Sequence, residues 1–553
     1  MMSDRAKTVI SDVSTSLNAE INEYGSQRGS PHYANASMEP LLDTMQQIKA
    51  NTPIDLFRRE PRVARFADFY MNLLTPPEPR FGGLRKLISI GDGSTESSSL
   101  FGQMATGFAN VNATLSRRLM DAWISSGKME SGFHGSTILK IDDSLPSEPI
   151  NLHNAVFPGW FTVLRNGFGT TAETALWFVN GDFYSDHRHQ DQGSLALYAL
   201  GAPISIDWGS MYYPQAAGAY MHSSVLPESA IGSPWNADNP ALDAGTSPWT
   251  TSTEATAFED FEYSGYSSAH FVSRTGSIWS RSVYSIHPDI GYPVILISDT
   301  FTGPESTINK VLTLNLMAQN FVGTPLGPVI PPLRSWNQDG SRKELPSATP
   351  AVALAPGTNR FQFTGQWGVD WNLYTDSSRP QQFLLGDWSH DWHPTMEQDE
   401  FRKANGRPFK ERQYILRVKG TGPFRTLLVP YRSGTESPEL KSGKQFTLRT
   451  TVGEEWLIDE QYYAFKRDNQ IALATFGDQP ATAYDIAISG GPTEVAIRNG
   501  RATITIHGAK GTRRVHVPGT WEIPTQFRTS QGNIEINYEG GSPNRVELAP
   551  SRK

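Results

Sequence analysis

The hydrophobic period of this chain changes once, near residue 145, and the change commits it to a helical part followed by β-structure. Before that point apolar residues recur at helical spacing. Leu17 and Ile21 form one pair, and Leu41, Leu42, Met45 and Ile48 a longer set. Val63, Phe66, Phe69, Tyr70, Leu73 and Leu74 make an apolar stripe, with Arg58, Arg62 and Arg65 on another face of the same expected helix. Thr75-Pro-Pro-Glu-Pro79 ends that stripe, because proline removes an amide donor and clashes with the preceding turn. A third helix is expected through Phe108, Val111, Leu115, Leu119 and Trp123. Beyond residue 145 the apolar residues come in short runs split by Gly, Pro, Asn and Asp, such as Ala175-Leu-Trp-Phe-Val179 and Tyr292-Pro-Val-Ile-Leu-Ile297. Asn499-Gly500 joins two alternating runs, Val495 to Arg498 and Arg501 to Ile506, which is the strongest short hairpin signal. The expected architecture is α+β and multidomain. It has a helical domain over 1–145, a large antiparallel β-sandwich over 146–410 and a smaller C-terminal β-domain over 411–553.

With 553 residues the chain can bury large cores. It has no cysteine, which excludes disulfides, thiolate catalysis and cysteine-based zinc sites. A net charge of −8 makes the surface as a whole no magnet for polyanions, so nucleic acid is not an expected partner. Any grip on an acidic ligand must come from a local basic patch. Residues 58–86 hold seven basic side chains against three acidic ones, and a solvated helix face is the simpler reading of them. No run of about 20 apolar residues points to a membrane span. Met1-Met-Ser-Asp-Arg-Ala-Lys is not followed by an apolar segment, so no signal peptide is expected. The 14 Trp and 19 Tyr are rings of the kind that stack on sugars.

The chemistry concentrates in Tyr184-Ser-Asp-His187-Arg-His189-Gln-Asp191-Gln-Gly-Ser194. Read as an extended strand, the segment puts His187 and His189 on one face and Arg188 on the other. Asp207 closes the next apolar run, and a hairpin would return its carboxylate beside His189. His222 follows in Ala219-Tyr-Met-His222. Imidazoles with one carboxylate suit a first-row metal, and the imidazole left over is free for proton chemistry. Tyr212, Tyr213 and Tyr220 crowd the same stretch, and a tyrosine near a cation is a plausible proton donor.

These residues resemble the heparinase II/III-like polysaccharide lyases, a family that includes heparinase II and oligoalginate lyases and has dermatan sulfate epimerase as a cousin. The resemblance rests on His187-Arg-His189-Gln-Asp191, the apolar strand Leu195 to Leu200, Asp207-Trp-Gly209 and His222, with Phe161-Thr-Val-Leu-Arg165 as lead-in. It extends to Arg28-Gly-Ser-Pro-His32-Tyr33, similar to a segment whose Tyr is catalytic, and to the Gly91-Asp-Gly loop. It implies an (α/α) toroid before the sandwich, of which the helical part here would be a partial one. It also implies a structural Zn²⁺ on His189, Asp207 and His222, with His270 as the fallback for His222. His187 would face the substrate, Tyr33 would be the general acid or acid and base, and Tyr213 or Tyr212 the second tyrosine. Arg28, His32 and Arg188 would contact substrate.

The implied activity is β-elimination on a uronic-acid polymer, alginate or a glycosaminoglycan among the options, leaving unsaturated uronate ends. Two other readings stand beside it: a uronate C5-epimerase, and a truncated glycan-binding protein without catalysis. The family's carboxylate-neutralising Asn or His precedes its toroid tyrosine by a stretch that has no counterpart before Tyr33. The chain would then be truncated at its N-terminus, or completed by a second polypeptide or by homo-oligomerisation, or unusual in layout. Relatives are usually periplasmic or secreted.

Overall fold

The computed structural model describes residues 4–93, 95–130, 140–207, 217–228, 247–251, 256–287, 292–323, 333–335, 352–390, 398–407, 411–441, 446–449, 453–530, 533–541 and 544–551. The first 125 residues carry six α-helices: α1 (Asp4–Glu20), α2 (Pro31–Asn51), α3 (Leu56–Arg59), α4 (Pro61–Met71), α5 (Leu100–Phe108) and α6 (Ala113–Ser125). Two of the expected helices are each split. Pro61 begins α4, which leaves Arg58 on the short α3, whose N-terminus is capped by Asp55 accepting from the Phe57 N–H at 3.0 Å. Leu73 and Leu74 lie beyond the end of α4. The stripe read through Phe108 to Trp123 is α5 and α6, because the Asn112 side chain accepts from the Leu115 N–H at 3.1 Å and starts a new helix. The apolar faces still meet in one core, where Val63, Phe66, Tyr70, Leu100, Met104 and Leu119 are fully buried.

Among the described residues no helix is long and apolar enough to cross a membrane.

A five-stranded antiparallel sheet follows, with Ala155–Phe157, Phe161–Asn166, Thr174–Val179, Leu195–Ala199 and Ala202–Ser205 in sequential order. It is buried on both faces, which explains its continuous apolar runs. In Thr174–Val179, Ala175, Trp177 and Val179 join the helical core, while Leu176 and Phe178 join the core of the sandwich behind. The last strand of this sheet lies beside Lys310–Leu316, where the Met317 N–H donates to the Ile204 carbonyl at 2.7 Å. Lys310–Leu316 belongs to a six-stranded sheet, and together these faces pack on a nine-stranded sheet through Leu312, Leu314, Phe271, Trp279, Val283 and Ile297.

The sandwich runs past the expected boundary at residue 410. Glu411–Gly420 pairs with Lys310–Leu316 and Gln381–His390, and Phe424–Arg432 pairs with Val294–Thr302 and Val369–Ser377. The C-terminal sheets begin at Glu439–Lys441. They pack on the outer face of the nine-stranded sheet, where Tyr284, Leu296 and Leu427 share a core with Trp456, Tyr463 and Phe476. The Asn-Gly hairpin forms as read, with Asn499 and Gly500 at φ 50° and 72° between Thr493–Arg498 and Arg501–Ile506.

The basic stretch 58–86 keeps its sequence reading at Arg58, Arg59 and Arg65, exposed on α3 and α4, and departs from it beyond them. Arg80, Arg85 and Lys86 are buried, so they are neither a solvated face nor a groove lining. Arg80 donates to Glu78 at 2.9 Å and to the Tyr198 hydroxyl at 3.1 Å. Arg85 and Arg165 grip Glu173 from two sides at 2.7–2.9 Å, and the Arg165 Nη2 also donates to the Leu74 carbonyl at 2.6 Å. Burial, with Arg85 alongside and Glu173 opposing, brings the Arg165 guanidinium down to about 10. These ions seal the helices to the five-stranded sheet.

Candidate active site

The site lies where α2 begins, at the seam between helices and sheet. Residues 184–192 link two strands of the five-stranded sheet as a loop, and this corrects the extended strand expected there. His187 sits at φ 52°, a left-handed conformation that turns the chain between the two histidines. The imidazoles therefore do not share a strand face. His187 goes to one site and His189 to another.

His187 stacks on Tyr33 of α2, with ring centroids 3.3 Å apart and planes within 5°. Its Nδ1 meets the Asp92 carboxylate at 3.1 Å, and its carbonyl accepts from the Asp92 N–H at 3.0 Å. The His187 side chain is 40% exposed. Ser30 Oγ donates to the Asp92 carbonyl at 2.8 Å, tying the start of α2 to the same loop. Gly91 is required there. It has φ 65°, and a Cβ at this position would overlap the Tyr184 hydroxyl.

His32, on the same turn as Tyr33, holds the Glu96 carboxylate through Nδ1 at 2.9 Å. Burial lowers its pKa, but the hydrogen bond and charge of Glu96, with Asp92, outweigh burial and raise it overall. The Arg28 carbonyl accepts from the Ser185 and Asp186 N–H groups, which locks the 184–192 loop to the segment before α2. Arg188 turns back into the protein: Nη1 donates to the Tyr184 carbonyl at 3.1 Å, and Nε lies 3.9 Å from Asp191. Tyr212 and Tyr213 lie outside the described residues.

Behind this pair, His189, Asp207 and His222 are all buried and converge, each offering a ligand atom within 4.8 Å of the others. Asp207 lies two residues past the end of Ala202–Ser205, and His222 directly follows the turn Ala219–Met221. His222 Nδ1 is 3.2 Å from Asp207 Oδ2, and the same carboxylate accepts from the Gly91 N–H at 3.4 Å. Burial, with His222 alongside and against the charges of Asp207 and Asp92, pulls the His189 pKa down to about 4, so its imidazole is neutral and able to ligate. His189 Nδ1 is buried without a hydrogen bond. His270, the fallback ligand, is exposed and meets Ser280 Oγ at 2.7 Å.

The cluster is clamped from below. Arg281, fully buried, donates Nη1 to the Gly193 carbonyl at 2.6 Å and to the Ser223 carbonyl at 2.7 Å, so one guanidinium holds the segments carrying His189 and His222. Asp299 balances its charge at 2.7 and 3.0 Å and also accepts from Trp279 Nε1. Sequence reasoning gave no role to Asp92, although it named its loop, and missed Glu96 and Arg281. Gly91-Asp92-Gly93 was the available signal for the first, since glycines around an acid mark a loop that turns tightly.

No family model matches the sequence, and no curated protein does. Solved structures do match. The heparan sulfate lyase HepC from Pedobacter heparinus is 12% identical, with a TM-score of 0.53 over 82% of this chain and 61% of that one. Heparinase III is 13% identical, with a TM-score of 0.49 over 83% and 60%. A Paenibacillus xanthan lyase is 12% identical, with a TM-score of 0.47 over 99% and 55%. The likeness is one of fold. It is carried by the Pedobacter enzyme, and this chain spans about 61% of that enzyme's length.

Proposed function

We propose that this protein is a polysaccharide lyase cleaving a uronic-acid polymer by β-elimination. The observation that carries the reading is the Tyr33–His187 stack, tethered by Asp92 and backed by the buried His189/Asp207/His222 cluster. The fold likeness to the Pedobacter lyase supports the same class. In the reaction the C5–H and C4–O4 bonds break, a C4=C5 double bond forms, and O4 leaves with a proton. Tyr33, on a rigid helix turn, would carry protons to and from the substrate. His187, held by Asp92, would face the uronate carboxylate and stabilise the charge that builds there as C5 loses its proton. Arg28 and His32 would border the bound chain.

His189, Asp207 and His222 fit Zn²⁺: two imidazoles, one held neutral by burial, and one carboxylate. When bound, the ion would supply fixed positive charge and brace the loops beneath His187. The six helices would form an incomplete (α/α) toroid, completed by further chain, a second copy or another polypeptide. A periplasmic or secreted setting would suit the substrate.

The test is incubation with alginate, hyaluronan and heparan sulfate while following the absorbance of unsaturated uronate ends. Wild-type protein is expected to generate it on at least one polymer, and Tyr33→Phe to lose at least 100-fold in kcat while keeping its melting temperature. Exchange of the C5 hydrogen with solvent and no unsaturated product would identify an epimerase instead. Full activity in Tyr33→Phe would remove that residue from the mechanism.

A further inference from the structure

The seam between helices and sheet also opens into a pocket of about 650 Å³ that no step above uses. That volume is in the range of small-molecule sites. One wall is the turn after α1, with Asn22, Glu23 and Tyr24, together with Arg62 of α4. The other is Pro158 and Gly159 with Asp182 and Phe183. Phe183 stands only four residues before His187, a reach of at most about 14 Å along the chain.

The pocket is preformed. The Asn22 side chain donates to the Pro158 carbonyl at 2.8 Å and accepts from the N–H groups of Tyr24 and Ser26, so it fixes its own turn and ties it to the opposite wall. Gly159, at φ 85°, lets its wall pack tightly and the other wall approach it, since a Cβ there would come within 2.7 Å of Phe183 beside it and 3.2 Å of the Asn22 amide opposite. Arg62 is steadied by donating to the Ile21 carbonyl at 2.7 Å. Tyr24 is 46% exposed, one of few large apolar side chains among the described residues to be so.

A rigid turn that presents an exposed aromatic ring beside short polar side chains matches the amphipathic surface of a pyranose, whose C–H face stacks on a ring while its hydroxyls take hydrogen bonds. The charge selects among sugars. The lining holds Glu23 and Asp182 against one cation, Arg62, with Arg188 acting on Asp182, so the pocket offers no net positive charge to a second carboxylate or a sulfate. We propose that this pocket is a subsite for a neutral sugar unit, stacked on Tyr24, of the polymer whose uronate reaches Tyr33 and His187. The inference rests on the lyase reading for its context and deepens it. The natural substrate would be a mixed polymer, with uncharged residues near each cleaved uronate, and not a homopolymer of uronate.

Isothermal titration with cellotetraose, maltotetraose, chitotetraose and tetragalacturonate tests the pocket apart from catalysis. At least one neutral tetramer is expected to bind the wild type, with affinity lowered at least tenfold in Tyr24→Ala and in Phe183→Ala. Circular dichroism establishes that each variant is folded, and Tyr24→Ala, altering an exposed side chain, keeps the test open if Phe183→Ala does not fold. Absence of binding by every neutral tetramer, equal binding in Tyr24→Ala, or equal displacement by tetragalacturonate would overturn the proposal. Binding that survives while no polymer is cleaved would uphold the pocket and reject the lyase reading.

Discussion

At the scale of single residues, the chemistry turns on one backbone angle. A non-glycine residue at φ 52° costs about 1–2 kcal/mol. His187 is held in it by two contacts to Asp92 and by its stack on Tyr33. That turn gives neighbouring histidines separate environments, one 40% exposed against a tyrosine, the other buried beside Asp207. The roles should therefore come apart under mutation. Metal analysis of purified protein is expected to find about one zinc per wild-type chain and per His187→Ala chain, and a loss of at least tenfold in affinity for His189→Ala. Negligible zinc in all three proteins would end the metal assignment. The convergence of His189, Asp207 and His222 was readable in the sequence, because imidazole, carboxylate and imidazole recur across successive apolar runs. The left-handed turn at His187 was not, since a His-x-His entering an apolar run reads as a strand, and nothing in it announces the carboxylate of Asp92.

Among elements, periodicity served where one face is buried and failed where partners are distant. The helical stripes and the Asn499-Gly500 hairpin were legible because their signals are local. The breaks at Pro61 and Asn112 were also written locally, as a helix-starting proline and a capping side chain, within stripes that look continuous. Arg80 and Arg85 were misread because a count of charges cannot see Glu173 or Tyr198, which lie far along the chain. Arg281 belongs to the same class. It acts between elements, a single guanidinium on one strand joining two loops. A lysine keeps the charge but cannot reproduce the fork. Arg281→Lys is expected to weaken zinc binding severalfold and to distort the absorption spectrum of bound cobalt. Arg165→Lys, an equally buried cation away from the cluster, should lower the melting temperature and leave that spectrum as in the wild type. Identical spectra in both variants would limit Arg281 to stability.

For the whole molecule, the joint between sandwich and C-terminal sheets makes stability depend on pH. Glu494 is fully buried, accepting from the Tyr463 hydroxyl at 2.8 Å and from the Tyr263 N–H at 3.2 Å. Burial pushes its carboxyl from 4.5 up to about 8, although those two donors pull it partly back. Between these values the folded chain keeps a proton that the unfolded chain has released. The contribution of Glu494 to stability must then fall as pH rises from 4.5 towards 8 and level off above. The melting temperature of the wild type is expected to decline across that window, and more gently in Glu494→Gln, with the two slopes compared by calorimetry. Parallel slopes would show that Glu494 ionises as freely in the fold as outside it.

The seal between helices and sheet has a different kind of consequence. Glu173 belongs to the β-part by sequence, yet one of its two arginines, Arg85, comes from the helical part. A protease or a gene-splitting event that parted the chain near residue 145 would leave Trp177 and its neighbours bare on one piece and a buried-type arginine without its acid on the other. The two parts are therefore one packing unit, however distinct their textures look in the sequence.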